Sequence, residues 1–381
     1  MAVYVRMVHE FQLSMVDHAT GLWAESHARI TYALAYLRSP RARGSLPSSA
    51  LVQIEAGILS LFGQLDSFRT DGRARQTLAA LERLESPTSA QTLAASRVAY
   101  HGQRGERVLY VRELEVVDRL AAAAGSTWRN DVTMLRNLWA TYTLCEDVMS
   151  LKRAMQQLQT LADEKPAVAR LRNLVEACYL SERGQPHEAL ERFDAAFQSA
   201  LQTPGLRSCQ ELGAYARILR KAGLPARARD ICEQTLAALV PEERAFVLLI
   251  FGVQSERVLA LAALGDCDSA ARLADELLAE HAASDNPLLQ ALMHGVRAEV
   301  AVASTDWARF DREIAAMQEY VQLTQHPALF AQTQRIGERA RLLRRALTLP
   351  AHHLQNACDL LTTPDDADSF SETQVVDPDE R

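Results

Sequence analysis

The sequence predicts an all-α protein, an α-solenoid of antiparallel helix pairs that recur every 38–42 residues. The first observation is a unit of a helical stretch, a turn and a second helical stretch, repeated six times. The second is composition, since 48% of the 381 residues are hydrophobic and only 16 are Gly and 13 Pro. Such pairs bury their apolar faces only by stacking, so we expect a superhelix with a concave surface. The turns are centred on Gly105, Glu146, Gly184, Gly223, Gly265 and Thr305.

The clearest unit runs from residue 171 to residue 203. Its first helix has apolar residues three and four positions apart, as an amphipathic helix requires. The chain then turns at Gly184, which can adopt positive φ, and Pro186 suits the first turn of the next helix. In that second helix the spacing A-x3-F-x2-A lets two helices approach closely while the aromatic ring fills the space towards the next repeat. These three positions are Ala189, Phe193 and Ala196.

Other units keep the same frame. Ala228 follows the Gly223 turn and Ala270 follows the Gly265 turn at the equivalent positions. Near Thr305 the turn is kept, but Phe310 replaces the small residue.

The spacing of Gly184, Ala189, Phe193 and Ala196 resembles the second half of a tetratricopeptide repeat, with Tyr179 near that family's first-helix aromatic position. The resemblance covers residues 90–347, although the steps are longer than the usual ~34 residues of that family. The longer steps are similar to the repeat regions that accompany Ser/Thr-kinase or ATPase domains in bacterial signalling proteins. The resemblance implies a right-handed superhelix that acts as a protein-interaction scaffold. The family's carboxylate clamp of Lys and Asn side chains is not carried over.

Three regions are expected along the chain. Residues 1–89 form irregular N-terminal helical repeats or a cap, and residues 90–347 form the regular array. Residues 348–381 form a tail that we predict to be disordered, because it is polar, acidic and contains Pro.

Charge and cysteine content limit the functional classes. The net charge is −7, and the last 30 residues hold eight acidic residues against Arg381 alone, so the remaining body is neutral. A neutral body argues against nucleic-acid binding, which needs a basic face. The six cysteines form no CxxC pair, and with no signal peptide or apolar span we expect a reducing cytoplasm and no membrane partner.

Catalytic and cofactor motifs are not found. The sequence contains no Gly-rich kinase loop, phosphate-binding loop, nucleophile elbow or H-E-x-x-H motif. His352, His353 and Cys358 lack a second pair of metal ligands, and Asp266 and Asp268 are better explained as helix N-terminal residues. We therefore predict no catalytic, cofactor or metal site.

A basic stretch near the end of the array is a candidate docking surface for an acidic segment. The alternative is a solvated last helix whose Arg stems cover the end of the core. The acidic tail is tethered nearby, and we hypothesise that it contacts this stretch weakly in competition with a partner. The stretch comprises Arg335, Arg339, Arg341, Arg344 and Arg345. A second basic group flanks the Gly223 turn and is either a rim contact for an acidic partner or ordinary surface charge, and we favour the second interpretation. It comprises Arg217, Arg220, Lys221, Arg227 and Arg229.

The tail also contains candidate phosphorylation sites among acidic residues, namely Ser369, Ser371 and Thr373. Phosphorylation would add charge that Arg-lined modules recognise. The alternative is an inert solubilising tail.

The predicted function is non-catalytic protein binding through the concave face, in bacterial intracellular signalling. The alternative is a ligand- or peptide-sensing module, detached from or acting with a Ser/Thr kinase or a transcriptional regulator. A third hypothesis is an enzyme of unrecognised type. A scaffold predicts a groove of mixed polar and aromatic groups, a sensor predicts a closed apolar pocket, and an enzyme predicts converging titratable groups with perturbed pKa values. The identity of the protein or peptide partner and the oligomeric state stay open.

Overall fold

The computed structural model describes residues 9–14, 17, 22–44, 47–84, 87–124, 132–164, 168–202 and 205–348. All regular secondary structure in these residues is helical, which confirms the predicted all-α class. Short 3₁₀ helices occur at Leu206–Ser208 and Pro241–Ala245. The α-helices are α1 Trp23–Leu37, α2 Pro40–Arg43, α3 Ser48–Asp66, α4 Arg73–Glu82, α5 Pro87–Gln103, α6 Arg107–Ala124, α7 Val132–Leu144, α8 Val148–Glu164, α9 Ala169–Glu182, α10 Pro186–Gln202, α11 Cys209–Lys221, α12 Pro225–Ala237, α13 Val247–Ala263, α14 Cys267–Glu280, α15 Pro287–Ala303, α16 Trp307–Thr324 and α17 Pro327–Thr348.

The helices pack as successive pairs. Odd-numbered helices from α3 onward are the first helices of each pair, and each contacts the first helix of the next pair, through to α17. The second helices lie on the other side of this layer. In addition α7 contacts α11, two pairs further along, so the layer of first helices curves inward there.

All six predicted turn positions have positive φ, from 55° at Glu146 to 84° at Gly265. Each turn is closed by the same backbone hydrogen bond, in which the residue after the turn position donates to a carbonyl five residues earlier. Gln185 N, for example, donates to Leu180 O at 2.9 Å, and Asp147 N donates to Tyr142 O at 2.8 Å. This is the Schellman arrangement, which satisfies the free carbonyls at a helix C-terminus. Glu146 and Thr305 adopt it without being glycine.

Small residues allow close packing between successive pairs. Ala189, Ala228 and Ala270 are fully buried. The ring of Phe193, also fully buried, stacks on Tyr215 of the next pair with 4.5 Å between the centroids. A Cβ atom built on Gly213 in α11 would lie 2.9 Å from the carbonyl carbon of Gly252 in α13. These two helices therefore approach backbone to backbone, which only glycine permits.

The array winds tightly enough for distant pairs to touch. Leu248 N, at the start of α13, donates to Phe68 O at 3.0 Å. The Asn286 side-chain amide, before α15, donates to Gln103 O at 3.2 Å across 183 residues of sequence. The N-terminal pairs thus lie against the C-terminal ones. Among the described helices, none is long and apolar enough to cross a membrane.

Candidate functional site

Two narrow clefts lie on the inner side of the layer of first helices. Cleft 1 lies between α7, α11 and α13 and has a cavity volume of about 20 Å³, room for about one water molecule. Its walls include Trp139, Gln210, Gly213 and Gly252. Cleft 2 is bounded by α7, α11, α13, α15, α16 and α17 and also has a cavity volume of about 20 Å³. Its walls include Phe251, Leu292, Gly295 and Gln332. Leu144, Arg217 and Glu256 line both clefts. We call the two together the inner clefts.

Arg217 of α11 stands between the clefts and contacts three carboxylates. Its Nε donates to Glu182 at 2.8 Å, its Nη2 to Glu146 at 2.5 Å and its Nη1 to Glu256 at 3.4 Å. Only 9% of its side chain is exposed. A buried guanidinium is tolerated when its donors are matched by charged acceptors, as they are here.

Two of these carboxylates have a second cation from α11. Lys221 Nζ donates to Glu182 at 2.7 Å, and Arg220 Nε donates to Glu256 at 2.7 Å. Both carboxylates are almost fully buried, each with a side chain 3% exposed. Helix α11 therefore carries three cations, and its neighbours α9 and α13 each supply one anion.

Glu146, the third carboxylate, arrives from elsewhere. It lies in the turn between α7 and α8 and also accepts from Arg335 and, at 3.3 Å, from the Gln332 amide, both on α17. Its neighbour Asp147 lies 3.7 Å from His326 at the start of α17. One turn thus joins α7 to both α11 and α17.

We call Glu146, Glu182, Arg217, Arg220, Lys221, Glu256 and Arg335 the central ion network. Burial by itself would raise the pKa of the Glu146 carboxyl, but the positive charges of Arg217, Lys221 and Arg335 outweigh it, so this pKa lies well below its ordinary value. The same balance, with Arg220 and Arg217, lowers the pKa of Glu256. The Glu146 and Glu256 carboxylates are therefore ionised at neutral pH.

Buried thiols close to this network are poor nucleophiles. Burial raises the pKa of the Cys178 thiol to about 12 and raises that of the Cys145 thiol well above its ordinary value. A thiol that remains protonated at neutral pH neither attacks a carbonyl nor binds a metal well. Among the described residues, no group of His, Cys, Asp and Glu is arranged to hold a metal ion.

The five Arg residues of the predicted docking stretch do not converge on one surface. Arg335 joins the central ion network, and Arg339 pairs with Glu299 at 3.2 Å. Arg344 donates to Asp311 at 2.7 Å and lies over the Trp307 ring. Arg341 and Arg345 are exposed. Docking of an acidic segment here stays a prediction.

Other predicted positions are placed as follows. Gly184, Gly223 and Gly265 have no atom within 4 Å of a Cβ atom built on them, so these turns are open. Ala196 lies in α10, but its side chain is outside the described residues, as are Ser369, Ser371, Thr373 and the whole of 349–381.

The interpretation of the basic group around Gly223 as surface charge is wrong for Arg217 and Arg220. Arg217 is buried and Arg220 is half-buried, because α11 lies between two other first helices that carry acidic residues. The sequence feature that could have indicated this buried ion network is Glu256. It occurs within the apolar helix α13, VLLIFGVQSERVLALAA, and a charged residue in such a helix is buried and therefore paired.

Comparison with known proteins identifies the fold. No protein-family model and no curated protein matches the chain. Among solved structures, the chain is similar to a Rap protein complexed with Competence and Sporulation Factor, with a TM-score of 0.62 and 11% identity over 93% of this chain and 98% of that one. It is also similar to NprR in complex with its cognate peptide NprX, with a TM-score of 0.56 and 13% identity over 90% of this chain and 98% of that one. These matches and the helix pairs show that the chain has the fold of a tetratricopeptide-like helical repeat protein.

Proposed function

We propose that this protein is a non-catalytic regulatory scaffold that binds a peptide on the inner side of the layer of first helices, over the inner clefts. The observation that carries this proposal is the fold match over nearly the full length of NprR, a protein seen with its cognate peptide. The Rap structure, also matched over nearly its full length, holds Competence and Sporulation Factor. A shared fold at 11–13% sequence identity does not imply a shared ligand. The residues that line the clefts therefore have to support the proposal independently.

The inner clefts have the composition of a ligand site. Their walls are mostly apolar, including Trp139, Leu248 and Phe251, and a few polar groups interrupt them. Gln210 supplies a neutral donor and acceptor suited to a peptide backbone, and Arg217 and Glu256 supply charges. Apolar walls with a small number of placed polar groups are typical of sites that bind small ligands.

The same clefts argue against catalysis. Glu146 and Glu256 have lowered pKa values and are held by cations, so neither is suited to donate a proton at neutral pH. The nearby cysteines have raised pKa values and are poor nucleophiles. Binding without chemistry is the function that this arrangement supports best.

A binding regulator needs an output. The predicted output is association with a Ser/Thr kinase or a transcriptional regulator in bacterial signalling, for which the outer helices and turns offer surface. We place this activity in the cytoplasm, because Cys145, Cys178, Cys209 and Cys232 are buried free thiols, as a reducing compartment keeps them.

Affinity selection tests the peptide proposal. The full-length protein is incubated with a pool of random-sequence hexapeptides, and retained peptides are identified by mass spectrometry. Replacing Gln210 by Trp fills cleft 1, so we expect Gln210→Trp to weaken binding of the retained peptides at least about tenfold, or ~1.4 kcal/mol.

The matched control is Val240→Trp, which adds the same ring at an exposed position, 50% accessible, outside the clefts. We expect wild-type affinity for this variant. Retention of no peptide by the wild-type protein, or equal weakening by both variants, would contradict binding at the inner clefts.

A further inference from the structure

The three carboxylates around Arg217 are not equivalent. Glu182 and Glu256 belong to α9 and α13, the first helices that flank α11 directly. Glu146 instead comes from the turn between α7 and α8, and its φ of 55° is one that non-glycine residues rarely adopt. Such a conformation costs roughly 1–2 kcal/mol. The contact between Glu146 and Arg217 is therefore made by a residue whose backbone conformation is unfavourable.

Glu182 and Glu256 do not depend on Glu146. Each keeps Arg217 and a second cation, Lys221 or Arg220, if Glu146 is withdrawn. The stack of α9, α11 and α13 would then hold three cations and two anions. The loss of Glu146 would therefore leave more positive than negative charges in this stack. No other buried carboxylate would lose its cationic partners.

The groups left behind form a ready carboxylate site. Arg217 Nη2, Arg335 Nη2 and the Gln332 amide all donate to the two oxygens of Glu146. Two guanidinium groups and an amide converging on one carboxylate are the donor set that proteins use to bind such an anion. Arg217 lines both inner clefts and Gln332 lines cleft 2, so an anion held here would lie beside the apolar walls.

We propose that the ligand of the inner clefts presents a carboxylate, from a peptide C-terminus or an acidic side chain, that replaces Glu146 on Arg217 and Arg335. This inference rests on the proposed function. Arg335 is half exposed, with 51% of its side chain accessible, whereas Arg217 is buried. A ligand carboxylate therefore meets Arg335 first and Arg217 as Glu146 leaves.

The exchange would release the α7–α8 turn from α11 and α17. That turn also brings Asp147 towards His326, so its release loosens a contact between N-terminal and C-terminal pairs. Ligand binding would thereby be coupled to the relative position of these pairs, as a regulator requires. Glu146 competes as a tethered carboxylate at high effective concentration, so its removal is expected to strengthen ligand binding.

The test compares four full-length proteins: wild type, Glu146→Ala, Arg335→Gln and the control Arg229→Gln. Arg229 lies on α12, has 36% of its side chain exposed, and pairs with Asp230 away from the inner clefts and the network. The probes are the random hexapeptide pool with a free C-terminus, the same pool amidated, and both pools made without Asp and Glu. Retained peptides are quantified by mass spectrometry, and circular dichroism checks that each variant is folded.

We expect peptides bearing a carboxylate to be retained about tenfold or more over those without one. Glu146→Ala increases this retention several-fold, Arg335→Gln abolishes the preference, and Arg229→Gln behaves as wild type. Loss of binding on amidation identifies the C-terminal carboxylate as the source, and loss on omission of Asp and Glu identifies the side chain.

Peptide retention that is indifferent to carboxylates, and unchanged in Glu146→Ala and Arg335→Gln, overturns this inference and leaves the proposed function standing. Preferential retention of peptides without any carboxylate overturns it equally. Retention of no peptide by any variant overturns both. If Glu146→Ala is unfolded, Glu146→Gln replaces it, since the amide keeps the shape of the side chain and removes its charge.

Discussion

The turns of the early pairs and those of the later pairs have the same backbone conformation, but different residues surround them. At Gly184, Gly223 and Gly265 a built Cβ atom meets nothing within 4 Å. At Gly105 the same atom lies 3.3 Å from Leu288 Cβ, and Glu146 contacts Arg217 and Arg335. Equivalent positions in a repeat therefore serve different purposes.

The difference arises from the winding of the array. The loop before α15 meets the Gly105 turn, with Arg104 donating to the Asp285 carbonyl at 2.8 Å. The start of α17 likewise lies against the turn that contains Glu146. The later turns meet no such returning segment in the described residues. Because each pair contributes a small rotation, the pairs that touch are decided only over the whole array.

The largest expected effect is at the centre of the network. We expect Arg217→Met to lower the free energy of unfolding by about 3–5 kcal/mol, because the carboxylates of Glu146, Glu182 and Glu256 each lose one of their two cationic partners. Urea titration at neutral pH measures this. Arg229→Met is the control, since Arg229 pairs with Asp230 on the surface and should change stability by less than about 0.5 kcal/mol. Similar losses for both would mean that the network is not buried.

Alanine scanning of two turns tests the comparison directly. Gly184→Ala should cost about 1–2 kcal/mol, the cost of a left-handed conformation for a residue with a Cβ atom. Gly105→Ala should cost roughly 1 kcal/mol more, because the added methyl group is crowded by Leu288. Urea titration of both variants gives the difference. Equal losses would show that the Gly105 turn is as open as the Gly184 turn.

Acid should weaken the contact between early and late pairs. Burial lowers the pKa of His326 below its ordinary value of 6.5, although Asp147 partly opposes this. The unfolded chain therefore binds more protons below that value, and stability falls as pH drops below about 6.5. The lowered pKa of Glu146 adds a second loss below about pH 4.5, its ordinary value.

Urea titrations across this range give the pH dependence. His326→Phe should reduce the first loss, whereas His187→Phe, at an exposed position on α10, should leave it unchanged. An unaltered slope in His326→Phe would assign the loss to other groups, such as His281, whose pKa is also lowered by burial.

The smallest effect separates the two non-glycine turns. Thr305 is exposed and β-branched at a φ of 57°, so Thr305→Gly should relieve strain and raise stability by about 0.5–1 kcal/mol after the entropy cost of glycine. Glu146→Gly relieves the same strain but removes the ion pairs to Arg217 and Arg335, so it should lower stability. Thermal unfolding measures both changes. A gain in both variants would show that Glu146 contributes little to the folded state.

Much of the architecture could be predicted from local patterns. The six turn positions were predicted from their spacing, and each of them has a positive φ. The N-cap role of Asp266 was also predicted, and its carboxylate accepts from Ser269 N at 3.2 Å. The central ion network was not predicted, since Glu146 looked like one more polar turn residue and Arg217 like surface charge.

The sequence by itself determined the all-α class, the turn positions and the apolar face of each helix, because these depend on residues within about five positions of one another. Only the tertiary structure decided that Glu146 meets Arg217, 71 residues away, and Arg335, 189 residues away. Those contacts depend on the accumulated rotation of several stacked pairs and on two glycines, Gly213 and Gly252, that bring α11 against α13. Short-range sequence patterns therefore determine the fold, whereas the candidate site forms only when the superhelix brings distant repeats into contact.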